Sequence, residues 1–191
     1  MTADQDVTHW LRQMGEGDPA ALDRVVGLLY DELRAMARNR LSAERSSHTL
    51  SATAVVNEVY LKLARQHRIS APDRARFLAV AATTMRRVLV DYARGRRRQK
   101  RGGGEAGIPI DQVEHLLTDT EADEVLALDA ALTRLAEINP RGAEVVQQRF
   151  YAGLSLEETA TLLNVSAKTI QRDWIAARAW LRKEVARELD L

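Results

Sequence analysis

Lys168, Gln171, Arg172 and Arg178 fall on what a helical period makes the outer face of one segment, and their chemistry suits nucleic acid. Glutamine and arginine carry hydrogen-bonding forks that match adenine and guanine edges, while further basic residues meet phosphate. The surrounding residues 155–181 read as a helix-turn-helix. Ser155, with Glu158 three positions on, is a capping box that starts a first helix. Leu156, Ala160 and Leu163 face inward, Ala160 at a close crossing of two helices. Asn164 occupies the turn, the next choice after glycine for a positive φ. Val165 fills the corner and Ser166 caps a second helix whose inward stripe is Ile170, Trp174, Ala177 and Leu181. Residues at the start of such a recognition helix reach base edges, so Ser166, Ala167, Lys168, Gln171, Arg172 and Arg178 are the expected DNA contacts. A structural hairpin with a solvated basic face would leave the agreement of cap, small residue, turn residue and outer face unaccounted for.

A second basic feature lies upstream. Residues 94–101 (Arg-Gly-Arg-Arg-Arg-Gln-Lys-Arg) hold six positive charges in eight positions, preceded by Arg86 and Arg87. Such a patch binds phosphate with counterion release. Cations at the C-terminal end of a helix dipole explain part of it without any ligand.

These groups need helices to carry them. Apolar residues recur at three- and four-residue spacing over 7–40, interrupted by the cluster Gly15-Glu-Gly-Asp-Pro19, with Asp18 before Pro19 as a helix start. The polar stretch 42–51 follows, and helical spacing resumes from Ala52 to Leu63. A further helix is expected from about Asp73 through Arg98, ended by Gly102-Gly-Gly104. Residues 102–120 read as a Gly-rich, acidic, flexible linker. Helices are expected again over about 121–136 and 143–151, with Asn139-Pro-Arg-Gly142 as a turn. The fold class is therefore all-α, two helical domains joined by an acidic linker.

Composition agrees. Alanine, leucine, arginine and glutamate dominate the 191 residues, aromatics are 5%, and cysteine is absent. That excludes disulfides and Cys-based zinc sites and fits a reducing compartment. No secretory leader pattern opens the chain, and no apolar stretch approaches the roughly 20 residues of a membrane span; a cytoplasmic protein without membrane contact is expected. The net charge of +1 hides an asymmetry: residues 1–101 carry 19 basic against 11 acidic side chains, 102–129 carry eight acids and no Lys or Arg, and 130–191 carry nine against eight. Separate surfaces for separate partners follow. His9, His48, His67 and His115 lack metal-ligand spacing, and no P-loop pattern occurs, so neither metal, cofactor nor catalysis is expected.

Two nucleic-acid surfaces flanking an acidic tether bring out a resemblance that runs nearly end to end. Residues 77–94 (Phe-Leu-Ala-Val-Ala-Ala-Thr-Thr-Met-Arg-Arg-Val-Leu-Val-Asp-Tyr-Ala-Arg) resemble the −10-reading segment of a compact extracytoplasmic-function (ECF) sigma factor of RNA polymerase. Ala143–Leu181 resembles its region 4, the −35 reader. The segments Asp31-Glu-Leu-Arg, His48-Thr-Leu, Val56-Asn-Glu-Val-Tyr-Leu-Lys-Leu, Lys100-Arg-Gly-Gly-Gly and Arg172-Asp-Trp-Ile-Ala-Ala-Arg-Ala-Trp-Leu look like the subgroup often encoded near Ser/Thr kinases.

The resemblance implies a region 2 bundle of three or four helices over 7–101, a linker over 102–120, and a region 4 helix-turn-helix domain over 121–188. It implies a monomer when free, with promoter DNA and core RNA polymerase, through its β′ clamp and β flap, as partners. Val55, Glu58, Val59 and Lys62 would meet the clamp. Arg86, Arg87, Arg94, Arg96, Arg97 and Arg98 would engage the −10 region, with Phe77 and Tyr92 as the few aromatics for single-strand capture. The acidic linker would run along the polymerase's basic RNA-exit path.

One departure stands out. Where the family has an Asp-Ala-Glu-Asp-like cluster for the clamp, alignment on Asn57-Glu58 places Ser51-Ala-Thr-Ala54, so three carboxylates are missing. Phosphorylation would restore negative charge near a helix N-terminus. Thr53 is the first candidate, Ser51 and Thr49 the next, with a Ser/Thr kinase as partner; the plain alternative makes Ser51 and Thr53 cap and first-turn residues. Arg87 also replaces a common Asn. The rival functions are a stand-alone helix-turn-helix regulator, which binds duplex without polymerase, and a helical adaptor, which leaves Lys168, Gln171 and Arg172 without a task.

Overall fold

The computed structural model describes residues 3–18, 20–40, 48–66, 69–100 and 117–191. Its first lobe contains α1 (Ala3–Glu16), α2 (Ala21–Leu28), α3 (Tyr30–Arg38), α4 (His48–Ala64) and α5 (Arg74–Lys100). The second contains α6 (Asp119–Ile138), α7 (Pro140–Val146), a π-helical turn (Gln147–Tyr151), α8 (Leu156–Leu163) and α9 (Ala167–Glu188). No strand occurs among the described residues, so the chain is all-α.

The apolar spacing explains the first lobe. Leu11 and Met14 of α1, Val25 of α2, Leu33 and Met36 of α3, and Val55, Val59 and Leu63 of α4 close on Phe77, Leu78, Ala81, Met85, Val88 and Leu89 of α5. The expected run over 7–40 is broken once more than the sequence suggested. Leu29 leaves helical geometry (φ −101°, ψ 12°) with its side chain buried, and so separates α2 from α3. Asp18 stands in the turn ahead of α2 rather than at its cap: its Oδ1 accepts the Ala20 N–H at 2.9 Å, and Ala20 takes the cap position with no side-chain cap bond.

Three helix starts come earlier than periodicity indicated. α4 begins at His48, so Ser51 and Thr53 lie inside a helix rather than at its cap. The supposed turn at Asn139–Gly142 is the start of α7: the Asn139 side chain accepts the Gly142 N–H at 2.9 Å and Pro140 takes the first helical position, which suits a residue without an N–H. α6 opens at Asp119 behind a Thr118–Glu121 capping box, two residues before the expected boundary. Most of the expected linker, residues 102–116, lies outside the described residues.

The apolar core does not stop at the lobe boundary. Leu117, Ala122, Ala131, Leu132, Leu135, Tyr151, Ala152 and Leu154 join the cluster built on α5, with α6 and the π-helical turn laid against that helix. A smaller cluster of Val145, Ala160 and Ile170 sits under the helix-turn-helix.

Candidate nucleic-acid interface

The helix-turn-helix is built by local chemistry. Ser155 Oγ accepts the Glu158 N–H at 3.0 Å while Glu158 Oε2 accepts the Ser155 N–H at 2.7 Å. α8 ends at Asn164 in the left-handed region (φ 52°, ψ 47°), and the Val165 N–H returns to the Ala160 carbonyl at 3.0 Å. Ser166 Oγ accepts the Thr169 N–H at 3.1 Å and opens α9. Ile170, Ala177 and Leu181 are buried, with Trp174 half-buried beside them.

This arrangement turns Lys168, Gln171 and Arg172 to solvent, with 73% of the Arg172 side chain exposed. Ser166 and Arg178 are also exposed and Ala167 is half-buried. The Arg178 guanidinium lies 6.0 Å from the Trp174 ring, which Arg149 approaches from 5.5 Å. The sequence did not single out Asp173. It is buried on α9, and Arg141 Nε donates to its Oδ2 at 2.6 Å, fixing α9 to the start of α7.

The basic helix is arranged differently from expectation. Arg87, Arg94 and Arg98 are exposed. The other three arginines are held by carboxylates of α6. Arg86 meets Asp129 at 2.7 Å, Arg96 meets Asp119 at 2.8 Å and Arg97 meets Asp123 at 3.0 Å. Phe77 and Tyr92 do not face a single strand: they are 0% and 3% exposed. Both belong to the stripe that includes Leu78, Met85 and Leu89, and helical period carries them inward. Burial, with Glu58 nearby, pushes the Tyr92 hydroxyl up to about 12.

A similar correction applies to α4. Val55 and Val59 are 0% and 1% exposed and belong to the bundle core, so they hold α4 in the bundle rather than presenting a surface. Glu58 is half-buried, and Lys62 Nζ donates to Asp91 Oδ2 of α5 at 2.7 Å. Thr53 is half-buried, and the Tyr30 hydroxyl stands 3.4 Å from its Oγ1. The side chains of Thr49 and Ser51 lie outside the described residues.

The lobes are also joined away from the acidic helix. Arg74 holds Glu32 in the first lobe and, through Nη1, Glu158 Oε1 at 2.8 Å in the second. The Arg40 guanidinium lies 3.6 Å from the Phe150 ring centroid and 5.2 Å from that of Tyr151. Burial lowers Arg40 to about 10, with Tyr151 opposing the shift, so it keeps its charge at neutral pH. Burial likewise pushes Tyr151 up to about 12 despite Arg86 and Arg40 nearby.

A capped helix-turn-helix behind a basic bundle is what a two-element promoter reader needs, and comparison with protein families decides the matter. The family model described as ECF sigma factor matches residues 4–187, nearly the whole chain. The chain belongs to the ECF sigma factor family. No curated protein and no solved structure matches it. ECF sigma factors direct promoter recognition as transcription initiation factors and are not enzymes. Among the described residues no helix is long and apolar enough to cross a membrane.

Proposed function

We propose that this ECF sigma factor reads a −35 element through Ser166, Ala167, Lys168, Gln171, Arg172 and Arg178, and a −10 element through Arg86, Arg87, Arg94, Arg96, Arg97 and Arg98. The observation carrying this reading is the exposed triplet Lys168, Gln171 and Arg172 on a helix aimed by the left-handed turn at Asn164. Residues 7–101 serve as the polymerase and −10 domain, 102–120 as the tether and 121–188 as the −35 domain. The exposed side of α4, with Glu58 and Lys62, supplies the β′ clamp contact. The apolar groove lined by Leu128, Val146, Phe150, Trp174, Leu181 and Val185, of about 560 Å³, takes the β flap.

The second part of the proposal is regulatory. The segment Ser51-Ala-Thr-Ala54 lacks the carboxylates that complement a basic clamp, and such complementarity sets encounter rate and register. A Ser/Thr kinase supplies the charge, with Thr53 as the acceptor and Ser51 and Thr49 as lesser sites. Thr53 sits in the second turn of α4 beside Tyr30, so the phosphate acts by its own charge at the clamp-facing helix more than through the helix dipole, which fades after the first turn. Modification requires Thr53 to leave the Tyr30 hydroxyl. Core-polymerase affinity of Thr53→Glu against Thr53→Ala tests this: tighter binding by the glutamate variant supports activation, and equal affinity removes it.

A further inference from the structure

We propose that α6 is an internal competitor for DNA, its carboxylates occupying the arginines of α5 until nucleic acid displaces them. The inference deepens the reading of Arg86, Arg96 and Arg97 as DNA contacts and rests on it. The two helices run antiparallel along this seam. Arg86 meets Asp129 near one end, and Arg96 and Arg97 meet Asp119 and Asp123 near the other. At 1.5 Å rise per residue, Arg86 to Arg96 spans about 15 Å, as do their partners Asp129 to Asp119, with Asp123 one turn inside reaching Arg97. The carboxylates therefore track the arginines in register.

The sequence supports the same division of charge, since residues 102–129 hold eight acids and no Lys or Arg. No cation within that segment can neutralise its carboxylates, and Asp119, Asp123 and Asp129 pair with arginines of the other lobe. An apolar seam holds the charges together. Ala131, Leu132 and Tyr151 join the core of α5, and Arg40 lies over Phe150 and Tyr151. The Arg86 and Asp129 side chains are only 23% and 22% exposed, so the innermost pair is shielded from salt more than the outer two. A phosphate competes with these carboxylates for the three arginines, most of all at the shielded Arg86, and the apparent affinity falls by the fraction of molecules that are closed.

The test uses the full chain and a mixed-sequence single-stranded 20-mer DNA. The variant Asp119→Asn/Asp123→Asn/Asp129→Asn frees the arginines. A control, Glu124→Gln/Glu137→Gln/Glu144→Gln, makes the same change in net charge at exposed positions outside the seam. The first is expected to bind about tenfold tighter than the control, as three modest ion pairs imply; equal affinities overturn the proposal. A second readout needs no loss of acids. The chain has no cysteine, so Leu28→Cys and Ile138→Cys, both exposed, take a donor and an acceptor dye. Energy transfer is expected to drop as the 20-mer saturates, and unchanged transfer overturns the proposal. Adding Arg86→Ala/Arg96→Ala/Arg97→Ala to the aspartate variant separates the two layers. Retained binding removes the DNA role of the arginines themselves, whereas lost binding with no gain over the control removes only the competition.

Discussion

Arg74 Nη1 lies 2.8 Å from Glu158 Oε1, while the other oxygen of that carboxylate, Oε2, accepts the Ser155 N–H at 2.7 Å. One side chain thus closes the capping box of the helix-turn-helix and ties that motif to the basic helix of the other lobe. Local helix chemistry and the docking of the lobes meet at a single residue.

Loss of this carboxylate is expected to cost stability. Burial raises the Glu158 pKa, but the Ser155 hydrogen bonds and Arg74 outweigh it, and the net shift is downward from 4.5. A depressed carboxylate stabilises the fold above its unfolded pKa and loses that contribution as pH falls through the folded value. Glu158→Gln should lower stability by about 1 kcal/mol at pH 7 in urea denaturation. The gap between variant and parent should close below pH 4.5.

The turn residue makes an independent prediction. Asn164 has φ 52°, a region where a Cβ without a compensating local hydrogen bond is disfavoured by about 1–2 kcal/mol. Asn164→Ala should destabilise by about 1 kcal/mol, and Asn164→Gly should leave stability nearly unchanged. Thermal or urea melts of the pair settle it.

Gly142 is expected to tolerate no side chain without loss of a cap. An added Cβ would stand 2.5 Å from Asn139 Nδ2 and 2.8 Å from its Cγ, displacing the side chain that accepts the Gly142 N–H. Gly142→Ala should therefore cost about 1 kcal/mol, measured by urea denaturation. Asn139→Ala should cost a similar amount, and the double substitution less than the sum of the two.

On α4, burial and binding should separate. Val59→Ala is expected to lower stability by about 2 kcal/mol, because it opens space in a close-packed core. Any loss of polymerase affinity should follow the loss of folded protein. Glu58→Gln should weaken core-polymerase binding with little change in melting temperature.

Much of this was legible from the chain. The helix-turn-helix could be read because Ser155, Glu158, Asn164 and Ser166 act through bonds only a few residues long. Asn139-Pro-Arg-Gly142 contains a cap of the same local kind, but its turn-forming composition masked it. The family resemblance gives Phe77, Tyr92, Val55 and Val59 outward tasks, but their own spacing places them on inward stripes, and burial follows the spacing. The pairing of Arg86, Arg96 and Arg97 with α6 is of another kind. It depends on two helices docking across more than 20 positions of sequence, and no local period encodes that.

In vitro transcription with core polymerase on fragmented genomic DNA tests the central claim most directly. The protein should start transcripts at discrete sites sharing two upstream elements. Arg172→Ala should weaken use of those sites by about 1–3 kcal/mol and relax preference within one element. Sequence-specific duplex binding by the protein alone, with no stimulation of initiation, would contradict the account and leave a stand-alone regulator in its place.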